Sequence, residues 1–538
     1  MDKIQKIKDI SYKLVVACFS LLFLPVLFCV ILLDKIIPYY EGYRLATVLP
    51  NLILFIVGLI ALMIVGYMIC KGRKISGGVQ HSAIILNISL LLIFIALYFV
   101  NVYISRETVY YTGWDPELVR GYAYLMKKGI PVNYNVYLVI NPNNITISYV
   151  LGRLYIFASN FPDRYPYHSY DFFWNQVQCA LLSVAGMAAC CTVKKISKNV
   201  ITVYMSALMY IAVVGLTPWK NIAYTDIFSI AFPIMSICFY VYYRSCKNNV
   251  GKIIYLILAF LSNSLGGLMK PTVFISLIAI MIIEVTRIFT EKEHRPWKWL
   301  LLETMLLLAI ACGNHYAERQ MVQELGLIEN KDISSTWHHY FYMGLNEDTT
   351  GGYDSSAVAM IGEFQAESIK ERNKAELERA FARIHERGVI GSIYFDLRKM
   401  VMTFNDGTFC WPIEGYYKKE FAPIAKGGKV TDFLRDVFWV NSKYSGRYNT
   451  FCQLVWIGVL TCLPGVCLGK REDRETTAFL LINFIGIFLY ILLFEARARY
   501  LLCFVPVLIT QASLGLERYS ICVYKWISDR RMKKVWKK

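Results

Sequence analysis

The chain lacks the short signatures of the familiar soluble enzymes: it has no phosphate loop, no HExxH, no GxSxG and no dinucleotide fingerprint. Those chemistries are excluded. Charge is scarce too, at 18% of residues, and it gathers between long apolar runs. The formal excess of +18 therefore has no soluble basic domain to hold nucleic acid, and no nucleic-acid partner is expected. There is no internal repeat, coiled coil or low-complexity tract. Cysteine is frequent, at 15 residues, but most lie inside apolar runs (Cys18, Cys29, Cys70, Cys238, Cys467, Cys503). They read as small hydrophobes. Cys190-Cys191 lacks zinc-type spacing, and so few cysteines fall in polar segments that no disulfide framework is expected, which points to a bacterial cell. A cleavable signal peptide is also missing. The first apolar run, about Leu14 to Leu33, is too long for one and should remain as a span.

What the chain does have is apolar length. It is 56% hydrophobic with a mean hydropathy of +0.42, so the bilayer must be part of its solvent. Runs of spanning length lie near residues 14–37, 46–70, 82–103, 173–192, 199–217, 223–243, 253–267, 271–288, 298–313, 450–469, 476–494 and 500–516. The pattern predicts an all-α polytopic membrane protein with about twelve transmembrane helices. The pair 253–267 and 271–288, split at Gly266-Gly267-Leu268-Met269-Lys270-Pro271, reads either as two spans or as a re-entrant pair.

With twelve spans, Lys3–Lys13, Lys71–Lys74, Lys194–Lys198, Arg244–Lys252, Arg287–Lys298, Lys470–Arg474 and the tail Arg530–Lys534 all fall on one side. The positive-inside rule makes that side, and both termini, cytoplasmic in a multi-pass cell-membrane protein. Two large loops, 104–172 and 314–450, then face outward. The first holds an amphipathic stretch Pro116–Lys128 closed by Gly129, the second a charged helix from about Ser356 to Arg387 ended by Gly388. The expected organisation is a two-helix addition (1–81), a transmembrane core (82–313), an extracytoplasmic cap (314–450), C-terminal helices (451–516) and a basic tail (517–538).

Several residues are candidates for chemistry. The first loop opens with Thr112-Gly113-Trp114-Asp115-Pro116-Glu117. Asp before Pro with Glu in the first turn is a helix start, and an acid beside the bilayer among tyrosines is also a place where basicity is tuned; the two readings are compatible. Asp226, Lys270 and the run Glu495-Ala496-Arg497-Ala498-Arg499-Tyr500 sit at outer span ends, and Lys220 precedes the sixth span. Interface anchoring accounts for any one of these cations, and several together suit a phosphate clamp at the outer leaflet. In the second loop His338 and His339 read as substrate contacts or cap packing. Adjacent histidines point to different helix faces, so a divalent metal there is the lesser reading. Asn405-Asp406-Gly407-Thr408 is a turn signal.

This layout resembles the GT-C superfamily of membrane glycosyltransferases, in the style of the dolichyl-phosphate-mannose–protein mannosyltransferases and the lipid A aminoarabinose transferases. The resemblance covers about 82–516 and rests on the early acidic motif, the second large loop and Arg497, Arg499 and Tyr500. It implies that Asp115, or its neighbour Glu117, is the catalytic acid. It also implies that Lys270, Arg497 and Arg499 bind the phosphate of a polyprenyl-phosphate-linked sugar donor, with a glycan, lipid or protein as acceptor. The family's acid follows its first span and here follows the third, so 1–81 reads as an addition. A polysaccharide polymerase or ligase of the O-antigen type and a lipid or solute transporter are the rival readings.

Overall fold

A computed structural model describes residues 3–75, 82–108, 112–133, 135–161, 169–290, 297–363, 368–414 and 428–535. Among them the regular structure is helical, apart from one bridge between Asn133 and Leu327. Three long helices open the chain, α1 (Lys3–Leu32), α2 (Asn51–Ile75) and α3 (Ser82–Thr108), and a first connecting region carries α4 (Asp115–Lys127), α5 (Val136–Ile140) and α6 (Ile145–Ala158). Next come α7 (Ser169–Ile196), α8 (Val200–Tyr210), α9 (Thr225–Ser229) running into α10 (Ala231–Ser245), α11 (Asn249–Met269), α12 (Phe274–Thr290) and α13 (Trp297–Leu325). A second connecting region holds α14 (Trp337–Met343), α15 (Ser355–Glu363), α16 (Ile369–Phe404), α17 (Trp411–Glu414) and α18 (Lys429–Phe438), before α19 (Ser445–Cys462), α20 (Arg474–Leu493) and α21 (Val505–Val535). Tyr110, Tyr111, Tyr134, Tyr416 and Tyr417, aromatics of the two large loops, lie outside the described residues.

Among the described residues eleven helices are long and apolar enough to cross a membrane. The run expected as the fifth span is shorter: α8 passes into a π turn at Ile211–Gly215, leaving Val200–Gly215 below spanning length. Residues 249–290 form two full helices. Lys270 ends α11, and Pro271, which has no N–H to donate, starts the next turn. The bundle packs α1 on α20, α2 on α19, α3 on α7 and α10 on α11 around one core. Its two connecting regions meet on one face, here the loop face, where Val132 N–H donates to Leu325 O and Ser335 N–H to Ile140 O.

Two expectations need correction. The cap does not begin at 314, because α13 continues to Leu325. The charged helix also starts later than expected, at Ile369 after the separate α15, while its break falls at Gly388 as expected. That residue takes φ 64°, ψ −177°, a backbone only glycine adopts readily, and α16 bends there and resumes. Val389–Phe404 then runs into the bundle. The Phe404 ring lies 5.9 Å from Phe23 and 6.0 Å from Phe484, and its carbonyl accepts from Trp456 Nε1 at 2.8 Å. Phe484 and Trp456 are near the middle of α20 and α19, so the tip of this connection is at mid-bundle depth.

Irregular backbone at that depth must satisfy itself. Asp406 accepts from the Thr408 and Cys410 N–H groups, Gly407 N–H donates to Gln453 Oε1, and Trp219 Nε1 donates to Phe409 O. Gln453 and Asn51 both donate to Asn405 Oδ1. The Asn-Asp-Gly-Thr turn is real, and it is buried.

Candidate functional site

The loop face holds a cavity of about 660 Å3 between the two connecting regions and the ends of α20 and α21. A second cavity of about 320 Å3 adjoins it, sharing Tyr224, Tyr340, Arg499 and Tyr500. The larger space is ringed by tyrosines and carboxylates. The smaller runs along apolar walls from Met269, Pro271, Tyr490 and Phe494, at the ends of α11, α12 and α20.

Asp115 opens α4, and its carboxylate faces the larger cavity instead of capping the helix. The N-cap position belongs to Trp114, without a side-chain cap bond. Asp115 Oδ2 accepts from the Tyr224 hydroxyl at 3.2 Å, and the Tyr137 hydroxyl is a second donor. Burial, and next the negative charge of Asp115, raises both phenols, so they stay protonated and donate. Trp114 fixes the start of α4 by donating its Nε1 to Glu414 O at 2.9 Å.

Beyond Asp115 lies an ion-pair network. Lys270 Nζ is 2.5 Å from Asp226 Oδ1. Glu414 joins both arginines, with Oε1 2.5 Å from Arg497 Nη1 and Oε2 2.8 Å from Arg499 Nη1. Glu495 is 3.1 Å from Arg497 Nε, and Asp226 Oδ2 is 3.9 Å from Arg499 Nε. Burial alone would discourage charge on Arg497, but Glu414 and Glu495 outweigh it and hold the guanidinium protonated. Among the described residues Asp115 stands outside these pairs, so the cluster's fourth carboxylate has no cation opposing it.

The network is paired in charge but incomplete in hydrogen bonding. Arg499 Nε and Nη1, Arg497 Nε, Glu414 Oε2 and Asp226 Oδ2 are all buried without a well-aligned hydrogen bond. Most of these atoms still have an opposite charge close by, Arg499 Nη1 and Glu414 Oε2 at 2.8 Å and Arg497 Nε and Glu495 Oε1 at 3.1 Å.

The structure thus brings together Asp115, Asp226, Lys270, Arg497, Arg499 and Tyr500, drawn from four separate stretches of sequence. It sets Glu117 apart: that side chain is 48% exposed and pairs with Arg120 at 3.4 Å. His338 also lies elsewhere, stacked on Trp337 over a shallow outer groove. His339 reaches the cavity wall with Nδ1 3.0 Å from Glu376 Oε1. Lys220 is buried away from the site, its Nζ donating to the carbonyls of Leu216 and Thr217. Sequence reasoning did not pick out Glu414, Tyr137 or Tyr224. Only the acid in Trp411-Pro412-Ile413-Glu414, after an aromatic turn, hinted at the first. Among the described residues no three of His, Cys, Asp and Glu converge as metal ligands.

A family model described as a conserved hypothetical integral membrane protein matches residues 7–520. No curated protein and no solved structure matches the chain.

Proposed function

The chain belongs to that integral membrane family, and from the site it carries we propose that it is a membrane glycosyltransferase using a polyprenyl-phosphate-linked sugar. The loop face is extracytoplasmic in this reading, with both termini in the cytoplasm, because the basic segments collect on the opposite side; the short α8 makes the twelfth crossing, since Asn199 at its start donates to Ile69 O in α2 and Gly215 at its end accepts from Asn101 in α3. The donor's tail lies along the apolar cavity by Met269, Tyr490 and Phe494. Its phosphate sits at the junction by Lys270, Arg499 and Tyr500, and its sugar enters the larger cavity toward Asp115.

The single observation that carries the reading is the convergence of an unpaired carboxylate with three cations where an apolar cavity joins a polar one. Asp115 takes the proton of the acceptor hydroxyl as its oxygen bonds to the anomeric carbon. The bond from that carbon to the phosphate oxygen breaks, and the polyprenyl phosphate departs with the electron pair. Charge building on that oxygen is met by Arg499 and Lys270, already fixed in place by Glu414 and Asp226, so little reorganisation is needed. The phosphate accepts from Arg499 Nε, whose nearest paired carboxylate oxygen, on Asp226, is 3.9 Å away.

The test is binding of undecaprenyl phosphate to the protein in nanodiscs. Arg499→Gln removes a charge-assisted contact of about 1.5–3 kcal/mol, so affinity should fall roughly ten- to a hundredfold. Equal affinity in Arg499→Gln, Arg497→Gln and Lys270→Gln would remove the clamp.

A further inference from the structure

The second half of α16 carries an apolar face that nothing among the described residues covers. Val389 is 79% exposed, Ile390 85% and Ile393 64%. They follow the bend at Gly388 and share one side of the helix, Ile393 lying one turn on from Val389 (i, i+4) and from Ile390 (i, i+3). On the opposite side Phe395 is buried. Three large exposed hydrophobes on one helical face, in an element whose far end is at mid-bundle depth, need an explanation.

We propose that residues 389–404 are a re-entrant segment whose Val389, Ile390 and Ile393 are immersed in the bilayer at its loop-face boundary. Depth supports this. Phe404 is level with the middle of α19 and α20, and at 1.5 Å per residue Ile393 is about 16 Å and Ile390 about 21 Å back along the axis. Half the hydrocarbon core is about 15 Å, and half the bilayer with its headgroups is about 20–22 Å. Ile393 therefore falls at the hydrocarbon edge and Ile390 among the headgroups.

Continuity supports it as well. The exposed stripe Leu24, Phe28 and Leu32 of α1, continued by exposed Ile36 in the turn after it, ends beside Pro38, whose carbonyl accepts from Arg398 Nε at 2.6 Å. The lipid-facing surface of α1 thus passes onto α16. Tyr394, half exposed, sits beneath Arg398 in the manner of an interfacial aromatic with its anchoring cation.

The segment has a consequence for the site. It leads through the buried turn Asn405–Cys410 directly to Glu414, the carboxylate that holds Arg497 and Arg499. Seating of α16 in the bilayer thereby fixes the ion-pair network, whichever ligand the cavity takes.

The test is site-directed spin labelling of the full chain in vesicles of phosphatidylcholine and phosphatidylglycerol. Single cysteines replace Ile390 or Ile393, with Lys374 and Glu378 as exposed controls on the first half of α16. The label at 393 should relax several-fold more readily with oxygen than with a water-soluble nickel chelate, and the controls should show the reverse. At 390 the two accessibilities should be close to balanced. Relaxation by the chelate at 393 equal to that at the controls overturns the proposal and leaves this face in water. Labels at exposed positions leave packing intact, and coincident elution with the unlabelled protein verifies the fold.

Discussion

Replacing Glu414 with Gln keeps the shape of the side chain and removes the charge that two buried arginines share. Arg497 keeps Glu495 at 3.1 Å, so its charge stays compensated. Arg499 keeps only Asp226 at 3.9 Å, and it is 7% exposed. Stripping one partner from a buried pair costs about 3–5 kcal/mol, because the remaining charge is left uncompensated. With one arginine still paired, the expectation is the lower end, about 3 kcal/mol. The assay is unfolding of the purified protein by titration with sodium dodecyl sulfate, with and without undecaprenyl phosphate. Glu414→Gln should be the less stable form, and the lipid phosphate should stabilise it more than it stabilises the parent, since an anion can take the vacant place on Arg499. Equal stability of the two proteins would refute the network as drawn. A large loss that the lipid phosphate does not reduce would refute the phosphate's position on Arg499.

Further outcomes follow from the same geometry. A Cβ at Gly407 would sit 2.7 Å from Cys452 O and from Trp456 Cβ, so Gly407→Ala should destabilise by about 1–3 kcal/mol in the same titration. A stable Gly407→Ala protein would mean the buried turn is not seated against α19. Cysteines placed at Asn160 and Lys374, in a background lacking the exposed Cys312 and Cys522, should react with an impermeant maleimide in intact cells. Protection of both until lysis reverses the orientation.

The spans were legible because the bilayer demands about twenty apolar residues per helix, and runs of that length survive inspection of sequence alone. Asp115, Lys270, Arg497 and Arg499 were legible for a related reason: charges at span ends on one side are few. The partners were not. Glu414 meets Arg497 and Arg499 more than eighty positions away in the chain, and only the packed structure makes that contact. The descent of α16 was hidden because its apolar run, Met400 to Phe404, is far too short to read as a span. Lys399 and Asn405, the first residue of the turn signal, flank it with polar groups. Both are buried: Lys399 Nζ donates to the carbonyls of Gly344 and Leu492, and Asn405 joins Asn51 and Gln453. A helix that enters a bundle from a loop and turns back leaves no periodic mark long enough to notice. The shortness of α8 was missed for the opposite reason, since its π turn continues the apolar composition without continuing the helix.

The central claim is that Asp115 acts as the base in sugar transfer from a polyprenyl phosphate. Its most direct test is consumption of lipid-linked sugars, extracted from the cells that make the protein and followed by mass spectrometry, by the parent, Asp115→Asn and Glu117→Gln proteins in nanodiscs. Asp115→Asn keeps the side-chain volume and can still accept from Tyr224, so its stability should hold while turnover falls about 10²–10⁴-fold. Glu117→Gln, exposed and paired only with Arg120, should turn over at close to the parent rate. Depletion of a lipid-linked sugar by the parent and by Glu117→Gln, but not by a stable Asp115→Asn, is the result the account predicts; undiminished depletion by Asp115→Asn, or none by the parent, would contradict it.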